Sequence, residues 1–245
     1  AISEKLVDRS RRITMAVTGL KREEAARLVE ASGGSVKVAL VMGATGASRE
    51  LARLYLSEAD GFVRRALARA DAELEAENPY SLYPAAPPDE ERLEALRAAL
   101  RGLARQVGRL VEPATDQALK RRAGPTTWCV KEHIEHLVVC DELARVRISA
   151  ILSEDQPFLA DRNDEVENRA IGESGARNVA KSTLLRRLSD SRAALAFLIE
   201  GVAAARLERT GRHERYGLVS VYQILRHLVW HDHRHLLAIR RLLSG

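Results

Sequence analysis

Four of the chain's seven histidines, His227, His231, His233 and His235, stand within the C-terminal run LRHLVWHDHRH. At about 100° per residue, His231 and His235 share a helix face with Ile224, Leu228, Ile239 and Leu242, and His233 points the other way. Two imidazoles four residues apart on an apolar face fill a core unfavourably unless something binds them, and a divalent metal is the usual partner. A lone HxxxH is a weak signal, because helix histidines are more often surface or capped core residues. Metal sites in helical bundles draw inward side chains from facing helices, so the pair needs a counterpart elsewhere in the chain.

His136 is that counterpart. On its own helix it has Cys129, Glu132, Cys140 and Leu143 within about a quarter turn, with His133 some ~60° away toward the edge. One imidazole plus an i, i+4 pair suits zinc or nickel and leaves coordination positions open, as a catalytic or substrate-binding centre requires. Other side chains rank lower. Glu132 is a weak catalytic candidate, able to orient a ligand or accept a proton, with a solvated helix carboxylate as the simpler reading. Cys140 is either a thiolate ligand or a small buried side chain. His227 is either a fourth ligand or edge packing. Asp232 faces away from the ligands and reads as surface, and Trp128 reads as a core anchor at a helix start.

The elements that must carry these residues are helical. Ala, Leu, Glu and Arg dominate the 245 residues, and aromatics are scarce at 4%. No run reaches the ~18 apolar residues of a membrane span. The start AISEKLVDRS lacks the succession of a signal peptide, and a cytoplasmic location is expected. The chain begins with Ala, as a piece of a longer protein would. Cys129 and Cys140, inside one expected helix, give no disulfide pattern. The net charge of +5 comes mainly from Arg interspersed with Glu and Asp, so no nucleic-acid partner is expected.

Residues 1–76 read as short helices with stops at Gly19, Gly33-Gly34, Gly43 and Gly61, too short to stand alone. The stretch ENPYSLYPAAPPD, from residue 77, holds four of the seven prolines, which predicts an extended linker over 77–88. Residues 89–245 carry four long helical patterns, 89–111, about 127–152, 181–198 and 221–243, with Ser220 capping the last. Leu93, Leu96, Leu100, Leu103, Val107 and Leu110 give the first its bundle spacing. Residues 153–180 read as a long irregular crossover, whose length allows a functional role, and 200–217 as a polar connection.

Two resemblances follow from these words. EKLVDRSRRI, EEAARLVEASGGSVKVALVMGATGAS and ARLYLSEADGFVRRAL resemble the small helical, UBA-like C-terminal part of bacterial N-acetylmuramic acid 6-phosphate etherases, over about residues 4–67. The catalytic sugar-isomerase-type domain of that family is absent from this chain, so no etherase active-site residue carries over. The chain is then either the C-terminal part of an etherase fusion or the user of a borrowed helical module, with packing and support of a homodimer as its simplest role. TWCVKEHIEHL together with GRHERYGLVSVYQILRHLVWHDHRHLLAI resembles the DinB-like superfamily of metal-binding four-helix bundles, over about residues 89–245. That resemblance implies metal ligation by His136, His231 and His235, with Trp128 eight residues before the first ligand. Many relatives have Gln where this chain has Ala238, so one polar group beside the site is missing. The resemblances imply an all-α chain and a metal-dependent hydrolase or thiol transferase acting on a small-molecule substrate or thiol. The competing reading is a non-catalytic metal-binding or scaffold module.

Overall fold

The computed structural model describes residues 4–76, 78–87, 89–124, 127–161 and 164–244. The chain divides into two compact units, residues 1–77 with 94–99, and residues 78–93 with 100–245. Helix dominates both, as the composition predicts.

In the first unit five helices follow one another: α1 (Glu4–Thr18), α2 (Arg22–Ala31), α3 (Val36–Thr45), α4 (Arg49–Glu58) and α5 (Val63–Glu75). Ser35 and Ser48 accept hydrogen bonds from Val38 N and Leu51 N, satisfying amides at the starts of α3 and α4. Gly46, at φ 68°, ends α3 in the left-handed region. The buried side chains Val38, Ala39, Val41, Leu51, Leu54 and Tyr55 form the centre of this unit.

The second unit is built on residues 100–111 of α6 (Glu90–Val111), on α8 (Val130–Ser153), α10 (Lys181–Glu200) and α11 (Val221–Ser244), with short helices α7 (Asp116–Lys120) and α9 (Asp164–Glu173) between them. Its core joins Leu103, Val107 and Val111 of α6 to Val130, Ile134 and Leu137 of α8, Leu184 and Leu188 of α10, and Leu236 and Ile239 of α11. Helix α8 packs against both α10 and α11. It begins at Cys129, where Glu132 Oε2 accepts from Cys129 N at 2.8 Å. Of the two expected caps, Thr126 lies outside the described residues and Thr127 instead bonds with Gly124. Helix α11 begins with a reciprocal pair: Ser220 N donates to Gln223 Oε1 at 2.9 Å and Gln223 N to Ser220 Oγ at 3.1 Å.

Three segments differ from the sequence expectation, the first being the crossover of 153–180, read as irregular, which carries α9. Residues Pro79–Leu82 form a 3-10 turn in place of an extended linker, and Tyr80 and Tyr83 are buried. Gln223 holds that turn by donating Nε2 to the carbonyls of Tyr80 and Tyr83, at 3.1 and 3.0 Å. The polar connection before α11 contains a hairpin, β2 (Thr210–His213) and β3 (Gly217–Ser220), with β1 (Phe158–Leu159) added parallel to β2. Gly211 is required there, because a Cβ would lie 2.8 Å from Leu159 Cδ1 and 3.0 Å from Ile151 Cγ1. This small sheet places His213 and Tyr216 near the start of α11.

Candidate metal centre

The periodicity of α8 and α11 directs three imidazoles at one point. His136 Nε2 lies 3.0 Å from His231 Nε2, and His235 Nε2 lies 3.1 Å from the same atom. Cys140, one turn beyond His136, places Sγ 3.4 Å from His136 Nε2 and 4.0 Å from His231 Nε2. The donor atoms of His136, Cys140 and His231 all lie within 4.8 Å of one another, and His235 joins the group through His231. His136 is buried, whereas His231, His235 and Cys140 are partly exposed as residues.

Three Nε2 atoms facing one another cannot all be satisfied by mutual hydrogen bonds, since each neutral ring carries one proton. Nitrogens bound to one cation at about 2.1 Å lie roughly 3.0 to 3.4 Å apart, the separation found here. Burial, then the neighbouring imidazoles, hold His231 and His235 well below the usual histidine pKa. Both rings are thus neutral at physiological pH, the form that ligates metals. The donor set fits a divalent cation.

The surroundings fix ring orientation. Glu167 Oε1 lies 3.3 Å from His136 Nδ1, behind the nitrogen that faces the cluster. His133 Nδ1 lies 2.8 Å from His235 Nδ1, and His133 is itself lowered to about 4, first by burial and then by His136. The His133 bond holds the outer nitrogen of His235, leaving Nε2 to face the cluster, and Glu167 stands at ion-pair distance behind His136. Trp128 covers the cluster, its ring centroid 4.6 Å from His136 and its plane within 22° of His235. Its Nε1 donates to Asn168 O at 3.4 Å, tying it to the helix that carries Glu167. Trp128 is therefore a wall of the site as well as an anchor.

The remaining candidates fall elsewhere. Glu132 is neither solvated nor among the histidines: its carboxylate is taken by the Arg122 guanidinium and Cys129 N, a structural role at the start of α8. Asp232 faces away from the ligands, but it is buried instead of surface. Arg192 Nη1 and Nη2 donate to it at 2.9 and 3.1 Å, while Arg192 also pairs with Asp141 of α8. His233 is buried on that other face. The His227 ring lies 6.3 Å from that of His231, too far for a fourth ligand in this arrangement.

Glu167 carried no sequence signal, standing on a short helix inside the crossover. His133 was visible three residues before His136, a spacing that puts both on adjoining parts of one face. Replacing Glu167 with Ala is expected to weaken metal binding about 10- to 100-fold, as loss of an orienting carboxylate does elsewhere. Competition titration with a chromophoric chelator measures it, and unchanged affinity would remove Glu167 from the site.

The family model for the DinB superfamily matches residues 92–239, more than half of the chain. The chain belongs to the DinB superfamily. The match spans α6 to α11 and includes all three histidines of the cluster. Among solved structures, this DinB chain is similar to YfiT from Bacillus subtilis, described as a probable metal-dependent hydrolase with an unusual four-helix bundle topology. That likeness has a TM-score of 0.59 at 20% identity, covering 66% of this chain and 91% of that one, and it bears on the fold. The N-terminal region matches C-terminal segments of N-acetylmuramic acid 6-phosphate etherases. With the enzyme of Synechococcus sp. (strain CC9605) the identity is 46% over 74 residues, 30% of this chain and 23% of the etherase. With that of Geobacillus thermodenitrificans (strain NG80-2) it is 45% over 67 residues, 27% of this chain and 23% of the etherase. The DinB chain thus spans under a quarter of the length of these etherases.

Proposed function

We propose that the protein is a metal-dependent hydrolase or thiol transferase whose divalent metal, zinc or nickel, is held by His136, His231 and His235. The observation that carries this reading is the convergence of three Nε2 atoms at 3.0 and 3.1 Å, two of them on rings held neutral by burial. A divalent cation there would supply Lewis-acid activation of water or of a low-molecular-weight thiol. The chain's own residues prepare the site for it. His133 fixes the His235 ring, Glu167 stands at ion-pair distance from His136, Trp128 covers one side, and Cys140 and His231 are partly exposed. Cys129 and Cys140 are thiols, which accords with a cytoplasmic setting. No helix among the described residues is long and apolar enough to cross a membrane.

Metal-loaded protein is expected to turn over an activated ester such as 4-nitrophenyl acetate, or an electrophile with added thiol. Chelation abolishes that activity and zinc or nickel restores it. Turnover indifferent to chelation counts against metal catalysis.

A second reading, a metal- or ligand-binding module without turnover, is favoured by one observation. Glu132 is committed to Arg122, and Glu167 stands behind His136, so among the described residues no carboxylate joins the cluster of donor atoms as a general base. Thermal stabilisation by a sugar phosphate, with no turnover of either substrate, would support this reading and its link to the etherase-like segment.

A further inference from the structure

The side chains that continue the metal-facing stripe away from the three histidines are not core filling. Helices α8 and α11 run past each other in opposite directions, since His133 meets His235 while His136 and Cys140, farther along α8, meet His231, nearer the start of α11. Beyond Cys140 the α8 stripe reaches Arg147, two turns and about 10 Å on. Along α11 the corresponding step goes from His231 to His227. Tyr80 closes the far end, its ring 4.9 Å from His227 and 5.9 Å from His213.

Arg147 is a partly buried cation with little counter-charge. Its Nη2 donates to Ala160 O at 2.5 Å, and among the described residues no carboxylate lies within ion-pair distance of it. The nearby Asp161 carboxylate sits 3.8 Å from His213 Nε2. A guanidinium has five N–H donors, and most of these remain for another acceptor. Asp161 and Glu214 are the acidic groups near it, Asp161 turned to His213 and Glu214 accepting from Asp161 N at 2.9 Å. His227 is depressed to about 3, by burial and then by Arg147, and Tyr80 is raised to about 12 mainly by burial, so at neutral pH one is an uncharged imidazole and the other an uncharged phenol. His227 Nδ1 is also buried without a hydrogen-bond partner among the described residues. Cys140, His231, His227 and Arg147 are each partly exposed along this line.

We propose that Arg147, with His227 and Tyr80 beside it, is a carboxylate-binding subsite that anchors one end of the substrate while its other end meets the histidine cluster. This inference rests on the reading of that cluster as the metal centre, and it narrows the substrate class to molecules carrying a carboxylate about 10 Å from the reacting atom. Guanidinium binds carboxylate through two parallel hydrogen bonds, and the neutral imidazole supplies a further polar contact.

The test uses 8-mercaptooctanoate and 8-mercaptooctanol, which pair a thiol for the metal end with an acid or an alcohol at the other, and octanoate and octanol without a thiol. Dissociation constants come from calorimetry and from the fluorescence of Trp230, whose ring lies 5.0 Å from His227. In the metal-loaded protein the mercapto acid is expected to bind at least about 10-fold tighter than the mercapto alcohol. The Arg147→Gln variant, with unchanged metal content, loses that preference and keeps the affinity for the alcohol. Equal affinities in the parent protein, or an undiminished preference in R147Q, overturns the subsite. In chelated protein, octanoate is expected to remain tighter than octanol in an Arg147-dependent way. If the protein proves not to bind metal, that result keeps the subsite and rejects only the metal centre.

Discussion

Replacing Arg192 by methionine lowers the stability of the helical bundle by about 3 to 5 kcal/mol, the loss expected when one partner of a buried ion pair is removed. Arg192 is fully enclosed between α8, α10 and α11. Its Nε lies 3.1 Å from Asp141 Oδ2 and its terminal nitrogens clasp both oxygens of Asp232. Ser191 completes the set by donating to Asp141 at 2.9 Å. Without the guanidinium, two carboxyl groups remain buried with no counter-charge. Burial already pushes Asp232 up to about 7 against the pull of Arg192, which shows how unfavourable its ionised form is there. Asp141 follows Cys140 and Asp232 follows His231, so the clasp also fixes the helices that face the histidines together. Unfolding in urea followed by tryptophan fluorescence reads this loss directly, because Trp128 and Trp230 both belong to the second unit. Restoration by the added substitutions Asp141→Asn and Asp232→Asn would assign the loss to charge. A change under about 1 kcal/mol in R192M would mean that the clasp does not hold the bundle.

Acid is expected to unfold the metal-free protein by way of its buried histidines. His227 falls to about 3 and His133 to about 4 in the folded chain, and His231 and His235 fall well below the usual value, all chiefly through burial. The unfolded chain takes up protons at about pH 6.5, so the stabilising contribution is complete above that pH and is lost as pH falls toward the folded values. His227 alone weighs about 1 kcal/mol per pH unit across this window, the order expected of one buried imidazole. Urea midpoints of chelated protein from pH 7.5 to pH 4 should therefore fall steeply, and His227→Gln should flatten the curve. An identical pH profile for H227Q would show that the imidazole is solvated in the folded state.

The bundle was legible where apolar spacing is regular and a cap is local. Of the α6 series, Leu93, Leu96, Leu100, Leu103 and Val107 are buried and Leu110 is half-buried, and Ser220 stands at the start of α11 as expected. Helical periodicity also put His136, His231 and His235 on inward faces, and the structure brings them together. It could not find partners that depend on tertiary placement. Asp232 looked like surface because its counter-charge, Arg192, lies forty residues away on another helix. Glu167 meets His136 only through the fold of the crossover. The proline-containing stretch reads as an extended linker, yet Gln223 donates to the carbonyls of Tyr80 and Tyr83, which turn inward. Glu132 was ambiguous for the opposite reason: its role at the start of α8 is local, but Arg122 had to arrive from beyond a turn to bury it.

The most direct test of the metal centre is the metal content of protein purified without any immobilised-metal column, measured by inductively coupled plasma mass spectrometry. About one zinc or nickel per chain is expected, falling to background in the His136→Ala, His231→Ala double variant while the helical content measured by circular dichroism is retained. A metal content that is the same in the parent protein and the double variant would contradict the assignment.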